Sequence, residues 1–304
     1  MSNGKVISKN ISLTIGIPAY NRPESFKKII KQLSLLNAQG INISILIIDD
    51  CSDKSKYEDM LSVSKSMISE HKIIHLRNNS NLGYARNFIR LFEESNSDYL
   101  MPIADDDIIF EEGFSSVINF LLENQVDLLS PVWIREDKIH RGRNSRGVIF
   151  LQDFMECSHH APGIFYNVNT CKKYLAQLND LLNKNCAMTH TYPQVILSMK
   201  MLADSHKGYW FDAPIGKHGD SLPSGIRDPD GNKYMSYKSF LLQASALDNL
   251  LHELDPSLDR EVAIECIRSK YATWIYESQN IEHSLKEIFL MALSALKRSI
   301  KFWK

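Results

Sequence analysis

Three consecutive carboxylates, Asp105, Asp106 and Asp107, directly follow an apolar run at residues 99–103. Adjacent like charges at the end of a buried strand repel one another, so a cation or a set of hydrogen-bond donors must offset them. A divalent ion that also holds a diphosphate suits this need, because Mg²⁺ and Mn²⁺ prefer oxygen ligands and share their coordination shell with substrate phosphates. The alternative is an acidic loop that caps the helix beginning near Glu111 and leaves its surplus charge to water.

Two other polar loops follow predicted strands. Tyr20, Asn21 and Arg22 come after the first strand, and Asp49 and Asp50 come after the second. An aromatic plane with an acceptor for an imide N–H suits a pyrimidine base. Each loop also has a plainer interpretation as turn and helix-cap chemistry. Their joint placement at one edge of a sheet is what favours a binding site.

The elements that carry these loops follow an alternating pattern. Apolar runs at 11–17, 43–48, 72–76 and 99–103 predict strands, and periodic segments from Pro23, at about 55–70 and at 85–92 predict helices. Continuous apolar strands that alternate with helices are typical of a parallel sheet covered on both faces. Such sheets bind ligands at the carboxyl ends of their strands, where all three polar loops lie.

Composition limits the class of protein. The 304 residues are 44% hydrophobic and 23% charged, with a net charge of −1, which gives no global attraction to nucleic acid. The five cysteines form no C-x-x-C pair, and the first residues lack the apolar core of a signal peptide. No apolar run approaches the length of a membrane span. We therefore expect a cytoplasmic protein with free thiols.

Four motifs in order resemble the signatures of family 2 glycosyltransferases with the GT-A fold. They are IGIPAYNR (15–22), IIDDCSD (47–53), NLGYARN (81–87) and YLMPIADDDI (99–108). The resemblance implies an α/β, Rossmann-like, mostly parallel central sheet flanked by helices, with a helical C-terminal region. We place a catalytic, nucleotide-sugar-binding domain at 1–231 and the helical region at 232–304. The ADDD variant and residues 192–194 resemble abequosyltransferase-like enzymes of bacterial surface polysaccharide assembly.

The resemblance also implies roles for residues at matching positions. Base binding falls to Pro18, Tyr20 and Asp50, while Arg22 and Arg86 lie near enough to contact base, ribose or phosphate. The acidic triplet matches the family's metal and ribose signature, although Ala104 stands where the commonest pattern has its first carboxylate. We therefore expect Asp106 and Asp107 to hold Mn²⁺ or Mg²⁺, with Asp105 shared between metal and ribose.

A glycine-rich segment after the last predicted strand offers further ligands. GT-A enzymes often complete the metal shell from such a segment, and His218 suits that role, with Lys217 and Arg227 as phosphate partners. A flexible linker is the alternative. Upstream, the arginines of residues 135–146 either close over a diphosphate or decorate a solvated hairpin tip, and His159 and His160 are candidates for the sugar and acceptor pocket.

An inverting transferase needs a general base for the acceptor hydroxyl, with a pKa near the working pH. In the family this is usually a carboxylate at the start of a helix, but residues 189–194 contain none. We assign the role to His190, whose imidazole titrates in the right range, although a histidine before a helix also serves as a cap or packing residue. Asp153, Asp204 and Asp220 are the fallback carboxylates.

The resulting hypothesis is a metal-dependent, inverting glycosyltransferase that uses a nucleotide-sugar, with UDP-sugar favoured. Its acceptor would be a saccharide or lipid-linked saccharide of bacterial O-antigen, capsule or other surface glycan synthesis. Residues 281–304 predict a basic amphipathic helix, which suits either the inner membrane surface or packing on its neighbours. The alternative functions are a non-catalytic nucleotide-sugar-binding module and, with less support, a sugar nucleotidyltransferase.

Overall fold

The computed structural model describes residues 11–36, 40–66, 71–219, 230–231 and 237–253. Three predicted features lie outside these ranges: Asp220, Arg227 and the basic amphipathic helix at 281–304. Within the described helices, none is both long and apolar enough to cross a membrane.

Parallel strands form the first half of the central sheet, as predicted. Its strands lie in the order β3-β2-β1-β4, with β1 (Ile11–Ala19), β2 (Ile41–Asp49), β3 (Lys72–Arg77) and β4 (Tyr99–Pro102). The connecting helices are α1 (Pro23–Leu33), α2 (Lys54–Ser66) and α3 (Tyr84–Glu94). Because these strands all run the same way, the loops after β1, β2 and β4 meet at one edge.

The second half of the sheet is mixed. β9 (Phe165–Asn167) runs antiparallel between β4 and β6 (Leu128–Arg135), and β6 pairs in parallel with β10 (Gly208–Lys217). Short antiparallel additions complete it: β5 (Ile108–Ile109) and β8 (Gly147–Ile149) on β10, and β7 (Lys138–Arg141) on β6. β7 and the end of β6 therefore lie at the same edge of the sheet as the acidic triplet.

Helices cover both faces of the sheet. Besides α1 to α3 they are α4 (Glu111–Glu123), α5 (Phe154–Ser158), α6 (Val168–Lys172), α7 (Leu175–Asn183), α8 (Ala187–Thr191), α9 (Pro193–Ala203) and α10 (Tyr237–Glu253). The two-residue period of a strand divides the core, so Ile45 and Ile47 face the cluster that includes α1 and α4. Leu46 and Ile48 face the cluster that includes α3 and α5 to α10.

Helix boundaries follow the sequence signals. Pro23 occupies the first turn of α1, where its missing N–H costs nothing, and Phe26, Ile29, Ile30 and Leu33 form the helix's buried face. α9 also begins at a proline, Pro193, but it is buried on nearly every side, as expected for a helix enclosed by its neighbours. Its N-terminus is thereby fixed in place.

The described part of the C-terminal region packs on the rest of the chain. Leu247, Leu250 and Leu251 of α10 are buried in the same hydrophobic cluster as α8 and α9. The domain boundary predicted between residues 231 and 232 stays a prediction. The helix α10 contributes to the hydrophobic core on the side of α8.

Candidate active site

The acidic triplet forms a closed turn after β4. The Ala104 N–H donates to Asp107 Oδ2 at 2.9 Å, and both Asp105 and Asp107 are buried while Asp106 is partly exposed. Arg22, from the loop after β1, supplies the nearby cation. Its Nη1 donates to Asp105 Oδ1 at 3.2 Å and lies 3.6 Å from Asp106 Oδ2. One guanidinium thus contacts two of the three carboxylates.

The burial of Asp105 and Asp107 disfavours their charged forms, and the nearby positive charge does not fully offset this effect. Desolvation raises the pKa of Asp105 to about 6, even though Arg22 opposes the shift. Desolvation also raises the pKa of Asp107 well above its ordinary value, and the charges of Asp105 and Asp106 add to the effect. A further cation at this position would stabilise the ionised carboxylates, which is the property expected of a metal-binding turn.

The loop after β2 is held by its two aspartates. Asp49 is fully buried, accepts from the Ser52 N–H at 3.0 Å and lies 3.3 Å from Arg77 Nε. Asp50 accepts from Asn78 Nδ2 at 2.6 Å and from the N–H groups of residues 82 and 83 at 2.8 and 2.9 Å. The Asp50 carboxylate therefore anchors the loop that leads into α3.

The loops after β1 and β2 are also joined to each other. Asn21 adopts a positive φ of 56°, and its Oδ1 accepts from the Asp53 N–H at 2.8 Å. Tyr20, beside it, is 45% exposed, and Pro18 lies opposite Ile48 in the β1–β2 register. The structure therefore brings the predicted base-binding residues Pro18, Tyr20 and Asp50 to one edge, with an open aromatic face.

Arg86 lies on α3 and contacts α7. Its Nη2 donates to Asn183 Oδ1 of α7 at 2.9 Å, at an exposed position. Its role toward the donor remains a prediction, because the contact formed here joins two helices.

The backbone at His218 and Gly219 passes close to the acidic turn. Its N–H donates to the Ile134 carbonyl at 3.1 Å, and the next residue, Gly219, lies so close to the turn that an added Cβ would sit 1.7 Å from the Asp106 carbonyl oxygen. Any larger residue at position 219 would displace this segment. A glycine is therefore required where the chain passes the acidic turn.

The His218 imidazole lies among other histidines. Its ring centroid is 4.3 Å from that of His160 and 5.1 Å from that of His140, while His159 lies 4.9 Å from His140. Sequence analysis missed His140, because a histidine in a polar hairpin 20 residues from His160 gives no spacing signal. The sequence shows four of the ten histidines at positions 140, 159, 160 and 218, but no spacing connects His140 to the other three.

Three of the four arginines of residues 135–146 do not form the open phosphate clamp that was one interpretation of this loop, because they are held by other groups of the protein. Arg141 is buried, and Arg143 Nη2 lies 2.8 Å from Asp153 and 2.5 Å from Glu156. Arg146 pairs with Asp212 at 2.7 Å. These guanidinium groups are engaged in holding the hairpin and its neighbours.

The N-terminus of α9 contacts α3 and the loop that follows α5. Gln194 Nε2 donates to the His159 carbonyl at 3.3 Å, and the Tyr84 hydroxyl donates to Gln194 Oε1 at 3.5 Å. Burial raises the pKa of Tyr84, and the charge of Asp107 adds to the shift, so this hydroxyl lies within electrostatic reach of the acidic turn. The α8–α9 junction is therefore connected to the acidic turn's surroundings through Tyr84.

His190 lies on α8, one turn before Gln194. Its Nε2 is 3.2 Å from the Leu182 carbonyl of α7. Because a carbonyl oxygen can only accept, Nε2 carries the proton in the tautomer that makes this hydrogen bond. Two fallback carboxylates have other partners: Asp153 contacts Arg143, and Asp204 accepts from the Tyr174 hydroxyl at 2.6 Å at the opposite end of α9.

This sequence matches the family described as Glycosyl transferase family 2 over residues 14–178, more than half of the chain. The chain belongs to glycosyltransferase family 2. The family predicted from the four motifs is confirmed, and the matched residues include the loops after β1, β2 and β4.

Two curated relatives extend the comparison for this glycosyltransferase. Abequosyltransferase RfbV of Salmonella typhimurium is 29% identical over 112 residues, which are 37% of this chain and 33% of that protein. Thus the match spans about a third of that relative's length. Uncharacterized glycosyltransferase MG025 of Mycoplasma genitalium is 24% identical over 237 residues, 75% of each chain.

Solved structures show the same fold. S. aureus TarS residues 1–349 in complex with UDP-GlcNAc superimposes with a TM-score of 0.65 at 12% identity, covering 91% of this chain and 77% of that one. The mannosyltransferase PcManGT of Pyrobaculum calidifontis, in complex with GDP-Man and Mn²⁺, gives 0.53 at 10% identity, covering 94% and 80%. The predicted α/β fold with a central sheet flanked by helices is confirmed.

The residues of this glycosyltransferase fit a divalent ion at the acidic turn. Desolvated carboxyls at Asp105 and Asp107, with Asp106 between them, provide oxygen ligands and negative charge. The Nε2 atom of nearby His218 is buried and has no hydrogen-bond partner among the described residues.

Proposed function

We propose that this family 2 enzyme transfers a sugar from a nucleotide diphosphate donor bound at the edge formed by the loops after β1, β2 and β4. The observation that carries the proposal is the largely buried acidic triplet, two of whose carboxylates contact Arg22, at the carboxyl end of a parallel strand. A bound diphosphate with its metal ion supplies the charge partner that this turn needs.

We assign the base and ribose of the donor to the loops after β1 and β2. The exposed Tyr20 ring offers a stacking face beside Pro18, and Asp50 borders both. Asp50 Oδ2 accepts one hydrogen bond, from Gly83, so it retains acceptor capacity for the imide N–H of a uracil. A UDP-sugar is therefore the proposed donor, with Arg22, Arg86 and Asp105 toward ribose and phosphate.

The proposed metal ligands are Asp106, Asp107 and His218. When bound, Mn²⁺ or Mg²⁺ would neutralise the departing diphosphate, which is the largest electrostatic demand of the reaction. The chain's own part is to fix this turn. The Ala104 N–H holds the Asp107 carboxylate, and Gly219 lets the His218 segment pass close to Asp106.

The proposed general base is His190, in an inverting transfer to a saccharide or lipid-linked saccharide acceptor. The α8–α9 junction that carries it is joined through Gln194 to the loop of His159 and to Tyr84, whose pKa the charge of Asp107 raises further. The relationship to an abequosyltransferase supports a role in bacterial surface glycan synthesis. Association of residues 281–304 with the membrane belongs to the same proposal.

A thermal-shift panel of UDP-, GDP-, CDP- and dTDP-sugars, each with and without Mn²⁺, tests the donor proposal. A ligand at about 100 times its Kd stabilises a protein by ~2.7 kcal/mol, which raises Tm by several degrees. We expect this rise with the UDP-sugars and only when Mn²⁺ is present. No rise with any nucleotide would refute donor binding, and a rise with another base would refute the choice of UDP.

His190→Gln is expected to lower kcat on the order of 10²–10⁴-fold and to leave the donor Kd unchanged, because glutamine cannot accept the acceptor's proton. The acidic limb of the kcat against pH profile should disappear in the residual activity. Asp204→Asn, which alters a carboxylate at the far end of α9, is the matched control and should retain activity. Equal losses of kcat in His190→Gln and Asp204→Asn would show that His190 is not the general base.

A further inference from the structure

Three histidines from separate parts of the chain converge beside the acidic turn. His140 lies on β7, His160 follows α5, and His218 follows β10. One ligand nitrogen from each lies within 4.8 Å of the other two. Among the described residues, this all-histidine group is the one whose ligand atoms already stand so close together.

Two of these imidazoles have a buried nitrogen without a hydrogen-bond partner among the described residues. Nε2 of His160 and Nε2 of His218 are both buried without a hydrogen-bond partner in the part of the chain that the structure describes. A buried polar atom left unpaired costs about 1–3 kcal/mol. A metal ion shared by the two rings would satisfy both atoms at once.

The backbone around the cluster is fixed. The Arg141 guanidinium, next to His140, donates to the His160 carbonyl at 2.7 Å, and the His218 N–H donates to the Ile134 carbonyl at 3.1 Å. Trp133, fully buried, lies against His160 with ring centroids 5.4 Å apart. The three side chains are therefore presented by anchored segments.

We propose that His140, His160 and His218 form a binding site for a transition-metal ion of the Zn²⁺ class, which shares His218 with the proposed donor-ion site but requires no diphosphate. An all-imidazole set suits Zn²⁺, Co²⁺, Ni²⁺ or Cu²⁺, whereas Mg²⁺ and Mn²⁺ favour oxygen ligands. Three histidines leave a fourth position for water, as in other three-ligand zinc sites.

The geometry requires a modest contraction. Nitrogens around a tetrahedral zinc ion at about 2.0–2.1 Å stand roughly 3.3 Å apart, so side-chain rotation must shorten separations of up to 4.8 Å. Burial lowers the pKa of His218 to about 4, and it lowers the pKa values of His140 and His160 also, so the rings are neutral and ready to ligate.

Charges act in both directions at this position. Arg135 and Arg141 lie close enough to lower the pKa of neighbouring histidines and oppose a cation. Asp107 partly offsets Arg141, because its charge raises the pKa of that guanidinium. Because the proposed donor ion also uses His218, the two ions would compete for this ligand, but binding at the histidines requires no donor.

Metal binding to the chelator-treated full-length chain, without any nucleotide, tests the site. We expect Zn²⁺ titrated calorimetrically to bind with one equivalent, and Co²⁺ to give the visible absorption of a four-coordinate ion. His140→Gln and His160→Gln should each weaken Zn²⁺ binding at least 10-fold. His206→Gln, which alters a histidine paired with Asp127, is the matched control and should bind as the parent does.

The same experiment separates this site from the donor site. Asp106→Asn should keep the parent's Zn²⁺ affinity while losing metal-dependent donor binding. Unchanged Zn²⁺ affinity in His140→Gln, or loss of it in Asp106→Asn, would overturn the proposal. If His140→Gln does not fold, X-ray absorption of the Zn²⁺-loaded parent decides the matter, since fewer than three imidazole ligands would refute it.

Discussion

Replacing Asp106 and Asp107 together by asparagine is expected to lower kcat/KM on the order of 10²–10³-fold or more and to abolish the stimulation of activity by Mn²⁺ or Mg²⁺. Removing one group that stabilises developing charge typically costs a factor of this size. Asparagine keeps the size of the side chain and one acceptor oxygen but carries no charge to hold a cation. The measurement is initial rate against metal concentration with a saturating UDP-sugar.

The double variant should remain folded. Desolvation raises the pKa of Asp107, so the protein bears a cost for an ionised carboxylate there, and a neutral amide of the same shape removes that cost. Unfolding in the presence of EDTA should therefore show an equal or higher Tm than the parent. Asp59→Asn, at an exposed position on α2, is the control for charge removal and should match the parent in rate.

A double variant that still responds to metal as the parent does would refute the acidic turn as the metal site. Single variants then separate the roles. Asp107 is tied to the Ala104 N–H, whereas Asp106 is the partly exposed carboxylate that faces Arg22. A larger loss in Asp106→Asn than in Asp107→Asn would make Asp106 the principal ligand.

The donor half of the fold was predictable from sequence because its signals are local and strong. Near-continuous β-branched runs such as 43–48 occur where a strand is buried on both faces, and Pro23 and Gly83 mark helix starts. The carboxyl ends of parallel strands share an edge, so three loops could be placed together without any coordinates. The motifs then named the family.

The second half was harder for physical reasons. β9 has three residues and β5 has two, too few for a period-2 pattern to be distinguished from a loop. Their antiparallel pairing is set by which neighbours remain available in the sheet. The mixed arrangement that brings β7 and the segment after β10 beside the acidic turn is thus a tertiary result.

The histidine cluster shows the same limit at the level of a site. His140, His160 and His218 are separated by 20 and 58 residues, so no local motif connects them. His218 was singled out for its position after a strand, and His160 for its place in a loop. His140 becomes a candidate only once the β6–β7 pairing has turned its ring toward the other two.

Arg141 was misjudged because charge usually marks a solvated loop. It is instead buried, with its guanidinium donating to three backbone carbonyls, those of Pro131, His160 and Pro162. Burial lowers the pKa of Arg141 to about 10, which still leaves it charged at neutral pH. The planar fork of an arginine can satisfy several carbonyls at once, which a lysine cannot reproduce.

Arg141→Met is therefore expected to lower the free energy of unfolding by about 3–5 kcal/mol. Methionine fills much of the volume but leaves three buried carbonyl oxygens without their donors, at about 1–3 kcal/mol each before relaxation. Urea unfolding at neutral pH measures the loss. Arg135→Met, in which the same change removes a guanidinium that is half exposed, is the matched control and should cost less than ~1 kcal/mol.

The same variant links stability to the site. The carbonyls of His160 and Pro162 belong to the loop that also carries His159, whose carbonyl accepts from Gln194 at the start of α9. Releasing that loop should weaken donor-dependent activity in the fraction that remains folded, and Arg141→Lys should recover only part of both losses because an ammonium cannot span the carbonyls. Equal destabilisation by Arg135→Met and Arg141→Met would show that the buried guanidinium has no special role in holding the edge of the sheet together.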